Sequence, residues 1–364
     1  MKRRRGRIVV IDSLAELDAR IAHGASDLRG WRLHGLDLRT YGAVLDRVRL
    51  TGATFLGCTF AAGDAARAEQ AGALVLPRIE KVPVDPYRTA LYTAEELYDD
   101  PAYPHSLDAR AYAWSQASER SDDELARTLH DHAIDEALAD WLAIRRRAGT
   151  GVVGVMGGHA LARGEDGYAQ AARLGSLLGR THVVATGGGP GAMEAANLGA
   201  WLADRPGDLD HALTTLAAVP SFRPSIPAWV QVAMRVRATG PGAVDRSLGI
   251  PTWHYGHEPP NVFAGAIAKF FRNATREAIL LQVCDAGIVF LPGAGGTVQE
   301  VFQDACENYY ADASALAPMI LVGIEHWTRE LPVWPLLRAL ARDRPMQDQV
   351  HLVDTLEEAA TLVE

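Results

Sequence analysis

The feature that most constrains the fold of this 364-residue chain is an apolar run that leads directly into a glycine-rich loop. Residues 286–290 read Ala-Gly-Ile-Val-Phe, and residues 291–300 read Leu-Pro-Gly-Ala-Gly-Gly-Thr-Val-Gln-Glu. A buried strand, a glycine turn and a helix in this order present backbone N–H groups at a helix N-terminus, where an anion is favoured. Glu300 follows Thr297 by three residues in the first turn of that helix. A carboxylate beside an anion site is unfavourable unless it has a function, so the pattern predicts a catalytic group acting on a nucleotide.

Two further loops of this kind lie upstream, one after the apolar run at 183–185 and one after the run at 152–156. In open parallel sheets, ligands bind at the edge where the strands end, and three such loops would meet there. The residues of the two loops that we expect at the ligand are Gly187, Gly188, Gly189, Gly191, Met193, Glu194, Gly157, Gly158 and His159.

From residue 151 onward, short apolar runs alternate with segments of helical character. The runs are at 152–156, 182–185, 213–219, 287–291, 319–322 and 350–353. This alternation predicts an α/β domain over 149–364 with a doubly wound, Rossmann-like parallel sheet. The interval 220–260 is rich in proline and glycine, and we interpret it as an insertion over the active-site edge.

The N-terminal part of the chain has a repeat of period five. Large apolar residues recur at that spacing, at Leu45, Leu50, Phe55 and Phe60. Smaller residues stand two positions before each of them, at Ala43, Val48, Ala53 and Cys58. This resembles the pentapeptide-repeat pattern, in which coils of a β-helix bury both positions. We expect a short repeat segment over 1–61, of fewer than two coils, that serves as a structural cap or a docking element. A helical connecting region is predicted over 62–148.

The glycine-rich motifs resemble the signatures of the LOG (LONELY GUY) family. Residues 292–300 resemble its PGGxGTxxE motif, with Ala294 in place of a glycine. Residues 187–194 resemble its other glycine loop, and their Pro-Gly-Ala-Met sequence is most similar to that of the larger bacterial pyrimidine/purine nucleotide 5′-monophosphate nucleosidases. Arg276 stands nine residues before Asp285, where the family has an arginine, and is followed by Glu277 where many members have lysine. The resemblance covers roughly residues 150 to 325.

The resemblance implies hydrolysis of the N-glycosidic bond of nucleoside 5′-monophosphates to free base and ribose 5-phosphate, with cytokinin riboside monophosphates as one candidate substrate. It implies no metal and no cofactor, and a homo-oligomer of at least two chains. Glu300 would be the catalytic carboxylate, and Arg276 would hold the phosphate or orient Glu300. The remaining residues expected at the nucleotide are Gly293, Ala294, Gly295, Gly296 and Thr297 at the phosphate, and Asn261 at the ribose.

Several alternatives remain open at this stage. A nucleotide-binding sensor or carrier would need the glycine loops but not Glu300. His159 and Arg276 also have purely structural interpretations. The aromatic stretch 253–261 suits packing or base stacking, and His254, His257 and Glu258 within it match no helical metal-binding spacing.

The composition of the chain indicates which partners and which cellular compartment to expect. The charge is −9, from 36 basic and 45 acidic residues, which disfavours nucleic-acid binding by the surface as a whole. The basic residues Lys2, Arg3, Arg4 and Arg5 are the exception. Three widely spaced cysteines and the lack of a long apolar run predict a reduced, cytoplasmic protein with no membrane partner.

Overall fold

The computed structural model describes residues 9–117, 121–254 and 258–363. The chain divides into two compact units, one of residues 1–90 and 118–136 and the other of residues 91–117 and 137–364. The basic stretch Lys2 to Arg5 and the predicted aromatic-stretch residue His257 lie outside the described residues. None of the helices formed by the described residues is both long and apolar enough to cross a lipid bilayer.

The first unit contains a parallel sheet of four very short strands, stacked in chain order. These are β1 (Val9–Ile11), β2 (Trp31–His34), β3 (Thr54–Leu56) and β4 (Leu74–Leu76). The register pairs Val9 with Trp31, Arg32 with Thr54 and Thr54 with Leu74, so one turn of chain takes 20 to 22 residues. Four five-residue units would take 20. The stack extends beyond the C-terminal end of the predicted segment 1–61, because β4 lies at Leu74–Leu76.

Most residues of the five-residue repeat point inward, whereas Ala43 is exposed. Leu33, Leu45, Leu50 and Phe55 are all buried in one apolar cluster. The turns between the strands carry three helices, α1 (Leu14–Ala22), α2 (Gly42–Leu45) and α3 (Asp64–Gln70). Each turn of chain covers the apolar side chains of its neighbour, as in a solenoid.

The second unit is built on a seven-stranded sheet whose strands are all paired in parallel. Its strands are β5 (Val152–Met156), β6 (Val183–Thr186), β7 (Ser247–Gly249), β8 (Ala266–Ile267), β9 (Gly287–Phe290), β10 (Met319–Val322) and β11 (Val350–Val353). The spatial order is β11-β10-β9-β5-β6-β7-β8. Without the edge strand β8, this is the order of a Rossmann-like doubly wound sheet, and the direction of winding reverses between β5 and β9. The predicted fold class is confirmed.

Helices alternate with these strands and cover the sheet. The remaining helices are α4 (Ala94–Leu97), α5 (Leu107–Ala117), α6 (Ser121–Arg147), α7 (Asp166–Leu178), α8 (Ala192–Trp201), α9 (Leu209–Leu216), α10 (Ile226–Arg237), α11 (Asn273–Gln282), α12 (Gly295–Tyr310), α13 (Val333–Ala341) and α14 (Leu356–Thr361).

One predicted strand is wrong and two real strands were missed. Residues 213–219 fall largely in α9, because Leu209, Ala212 and Leu216 are buried at helical spacing and outweigh the β-branched residues among them. The interval 220–260, predicted as an insertion, contains α10 and the strand β7. The strands β7 and β8 have three and two residues, which is too short for a period-two pattern to appear.

Two glycines allow α7 and α8 to pack with their backbones in contact. A Cβ on Gly199 of α8 would lie 1.9 Å from the carbonyl oxygen of Ala172, and one on Gly175 of α7 would lie 2.1 Å from that of Ala196. Both clashes are with backbone atoms, which cannot move aside as the end of a side chain can. The helix pair that follows β5 and β6 is thereby held close to the sheet.

We expect Gly199→Ala to lower the free energy of unfolding by at least about 2 kcal/mol, because the added methyl overlaps the α7 backbone. Urea denaturation followed by circular dichroism measures this change. Gly207→Ala is the matched control, since a Cβ there meets no atom within 4 Å. Equal midpoints for the two variants would contradict the contact.

Candidate active site at the carboxyl edge of the sheet

The three predicted glycine loops are in direct contact at the carboxyl edge of the second unit's sheet. The Gly158 N–H donates to the Pro292 carbonyl at 3.3 Å, and the Ala192 N–H donates to the Gly158 carbonyl at 3.1 Å. Gly191 has a φ of +73°, and a Cβ on it would lie 2.5 Å from the Gly158 oxygen. Only glycine suits that position. The loop after β5 thus joins the loop after β6 to the loop after β9, at the point where the winding reverses.

A buried network of polar side chains holds the loop of residues 187–191. The Thr186 hydroxyl donates to Asn197 Oδ1 at 2.7 Å and accepts the Gly188 N–H at 2.9 Å. Asn197 Nδ2 donates to the Ser247 hydroxyl at 3.0 Å and to the Leu248 carbonyl at 3.2 Å. The amide of one residue on α8 therefore connects β6, β7 and the glycine loop.

Asn261 belongs to this network. The sequence predicts that it contacts the ribose, but in the structure its side chain bonds to other residues of the protein. Its Nδ2 donates to the Gly189 carbonyl at 3.1 Å and to Asn197 Oδ1 at 2.9 Å. Its Oδ1 accepts the N–H groups of Phe263 and Ala264, each at 3.1 Å. All four hydrogen-bonding positions of the amide are thereby occupied. Asn261 fixes the loop rather than offering a free group to a ligand.

Glu194, also expected at the nucleotide, is committed to a buried ion pair. Arg163 Nε donates to Glu194 Oε2 at 2.9 Å, Arg163 Nη2 reaches Oε1, and the Tyr168 hydroxyl donates to Oε2 at 2.9 Å. The guanidinium also donates to the Trp229 carbonyl at 3.1 Å. Glu194 is fully buried and anchors the start of α8 to the loop after β5.

The N-terminus of α12 lies at the predicted phosphate position and has no side-chain cap. Ala294, the helix N-cap, has a φ of −115°, which an alanine adopts without strain. Gly295 and Gly296 are exposed, and a Cβ on either would meet no atom within 4 Å. The first-turn N–H groups are therefore open to an anion.

The start of this loop is closed by two residues. A Cβ on Gly293 would lie 2.2 Å from the hydroxyl oxygen of Thr297, which is buried, so the loop folds back on its own helix. His326, which follows β10, has its Nε2 at 3.4 Å from the Gly293 nitrogen and 3.2 Å from its oxygen. The sequence analysis missed His326; its position beyond the next parallel strand is the signal that could have found it.

Glu300 lies on α12 and Arg276 on α11, and the charge of Arg276 acts on the Glu300 carboxyl. Burial raises the pKa of the Glu300 carboxyl to about 7, an effect that the charge of Arg276 opposes and that of Glu277 reinforces. Arg276 is buried, and its Nε has no hydrogen-bonding partner among the described residues. A buried guanidinium with an unsatisfied N–H is costly unless a ligand completes it.

Distances around Gly187 connect Arg276 to the second loop. A Cβ on Gly187 would lie 3.9 Å from Arg276 Nη1 and 2.8 Å from Met193 Sδ, while Met193 Cε lies 2.9 Å from the same position on Gly189. The Met193 side chain thus packs along the loop. Gly157, in contrast, packs against the side chains of Ala192 and Leu291.

Within the second unit, the described residues provide neither a metal site nor a free lysine amine as a further catalytic group. Among the described residues, no cluster of three His, Cys, Asp or Glu side chains could hold a metal ion. Lys269 is buried, and its Nζ pairs with Asp108 at 2.5 Å, so it does not act as a free amine. His159 is exposed, with Nε2 at 3.9 Å from Glu258 Oε1.

The comparisons with known proteins find a likeness among solved structures alone. No family model matches the chain, and no curated protein matches it. Among solved structures, the molybdenum cofactor binding protein from the phototrophic bacterium Rippkaea orientalis is similar at 19% identity and a TM-score of 0.35. The match covers 59% of this chain and 95% of that chain.

The raised pKa of Glu300 makes a prediction for stability. The folded chain holds the Glu300 proton more tightly than the unfolded chain, so this group makes folding less favourable as pH rises from about 4.5 to about 7. Glu300→Gln removes that loss. The free energy of unfolding of the variant minus that of the wild type should therefore be larger at pH 8 than at pH 4, by up to about 3 kcal/mol. Thermal unfolding at both pH values checks this, with Glu357→Gln, a glutamate in the first turn of α14, as control.

Proposed function

We propose that the protein hydrolyses the N-glycosidic bond of nucleoside 5′-monophosphates, as the resemblance to the LOG family suggests. The observation that carries the proposal is the pairing of a carboxyl of raised pKa, Glu300, with a buried guanidinium, that of Arg276, whose Nε has no partner among the described residues, beside three contiguous glycine loops. Binding alone would need the loops and the guanidinium. Glu300 is the sixth residue of α12, so it lies in the second turn rather than in the first turn that the sequence predicted. A half-buried carboxyl so near the N-terminus of that helix is unfavourable for binding a phosphate, and so supports a catalytic role.

The substrate would lie along the carboxyl edge of the sheet. The 5′-phosphate accepts N–H groups from the first turn of α12 and the Thr297 hydroxyl. The Arg276 guanidinium supplies the charge that the phosphate requires from its position beside Gly187. The ribose then spans the loop of residues 187–191, and its C1′ comes within reach of Glu300.

The reaction is a displacement by water at C1′. As the C1′–N bond breaks, its electron pair leaves with the base and positive charge develops on the ribose ring. The Glu300 carboxylate stabilises that charge and accepts a proton from the attacking water, whose oxygen forms the new bond to C1′. The base takes up a proton, and the products are free base and ribose 5-phosphate.

We expect Glu300→Gln to lower kcat by about 100-fold or more while the dissociation constant for nucleotide changes little. The assay is chromatographic detection of free base and ribose 5-phosphate from a panel of nucleoside monophosphates, with Glu357→Gln in parallel. In the wild type, kcat/KM should rise with pH through about 7, because the carboxyl must be ionised. Tight nucleotide binding without base release from any substrate would favour a non-catalytic sensor or carrier instead.

The charges beside Glu300 give a second test with opposite signs. Arg276 lowers the pKa of Glu300 and Glu277 raises it, so Arg276→Ala should move the midpoint of the pH–rate profile upward and Glu277→Gln should move it downward. Arg276→Ala should also raise KM for monophosphates roughly 10- to 100-fold through the lost phosphate contact, with no change for the nucleoside. The exposed Arg173→Ala serves as control. Shifts of the same sign in both variants would remove Arg276 and Glu277 from these roles.

A further inference from the structure

A cavity of 260 Å³ lies beside the loop of residues 187–191, on the side formed by Pro190 and Gly191. Its wall includes Phe222, whose ring packs edge-on to the buried ring of Trp229 with centroids 6.3 Å apart. The polar residues of its lining besides the buried pair Arg163 and Glu194 are His159, Ser221, Arg223 and Glu258. The guanidinium of Arg223 lies 5.5 Å from the ring centroid of Phe222. The volume suits one planar ring system rather than a whole nucleotide.

The cavity continues the nucleotide site. Gly191, on its wall, contacts the Gly158 carbonyl, and Gly158 in turn contacts Pro292 at the start of the phosphate loop. Glu258 Oε2 lies 3.7 Å from a Cβ position on Gly189, whereas Arg276 lies 3.9 Å from that on Gly187. Arg276 and Glu258 therefore flank opposite ends of the same glycine segment. A nucleotide with its phosphate near Arg276 places its base near Glu258.

The polar groups in the cavity differ in their availability. Arg163 and Glu194 line it, but each is almost completely buried and they are bonded to one another. Glu258 and His159 approach one another only to 3.9 Å, beyond a hydrogen bond. The Glu258 side chain is about one-third exposed, so its carboxylate can accept hydrogen bonds from a ligand.

We propose that this cavity binds the base of the nucleotide and that Glu258 selects guanine; the proposal rests on the proposed function. An ionised carboxylate offers two acceptors and no donor. Guanine presents two adjacent donors, its N1–H and its 2-amino group, and so matches both oxygens. Adenine and cytosine present a donor beside an acceptor, and hypoxanthine and uracil present one N–H, so each leaves an oxygen unmatched. A His159 N–H can donate to the O6 or N7 acceptor of guanine, and Phe222 supplies a stacking surface.

The test measures binding apart from turnover. In the Glu300→Gln protein, calorimetry gives dissociation constants for GMP, IMP, AMP and ribose 5-phosphate, with and without Glu258→Gln. We expect GMP to bind at least about 10-fold more tightly than IMP, which lacks the 2-amino group. Glu258→Gln should remove most of that difference. It should leave ribose 5-phosphate unchanged, as should the control Glu357→Gln.

Each outcome bears on one proposal. Equal affinity for GMP and IMP, or a loss of affinity in Glu258→Gln that is the same for all four ligands, would overturn the guanine assignment. Failure of the wild-type protein to release base from any monophosphate would overturn the hydrolytic function, and the binding ratios would still decide what the cavity recognises. A preference for GMP that depends on Glu258 supports the assignment in either case.

Discussion

The amide of Asn197 is the contact on which the geometry of the second unit's ligand edge depends. It lies on α8, is fully buried, and bonds to Thr186 at the end of β6, to Ser247 and Leu248 in β7 and to Asn261 beyond β7. In a protein interior of low dielectric constant, removing one side chain of such a network leaves several buried polar groups without a hydrogen-bonding partner, which is costly. The glycine loop between β6 and α8 therefore has a single well-defined conformation, although glycine itself favours none.

Against this rigid frame, the candidate catalytic group is tuned by charges on a neighbouring helix. Arg276 and Glu277 are adjacent on α11 and act on Glu300 with opposite sign, while burial sets the main shift of its pKa. Glu277 is itself held by Gln299 of α12, whose Nε2 donates to it at 2.8 Å. A lysine at position 277 would act on Glu300 in the other direction and lower the pKa of its carboxyl, because its charge is positive.

The sequence was sufficient for those parts of the structure that depend on local pattern. Apolar runs before glycine clusters correctly identified β5, β6 and β9, and their alternation with helices correctly predicted a doubly wound parallel sheet. Local pattern failed where long-range contacts decide the role of a residue. Glu194 and Asn261 looked like ligand contacts, but their partners, Arg163 and Asn197, lie 31 and 64 residues away. Strands as short as β7 and β8 take their conformation from the neighbouring strand rather than from their own residues.

The pairing of Lys269 with Asp108 also affects how the protein can be chemically labelled. The chain has three lysines, at positions 2, 81 and 269, and Lys269 is sealed in an ion pair beneath the indole of Trp253. Burial lowers the pKa of its ammonium group, while Asp108 opposes that change and occupies the nitrogen. Among the described residues, Lys81 is the exposed lysine, and it belongs to the first unit. Amine-directed coupling to a dye or a solid support would therefore attach the chain outside its Rossmann-like unit and leave the edge that carries Glu300 unmodified.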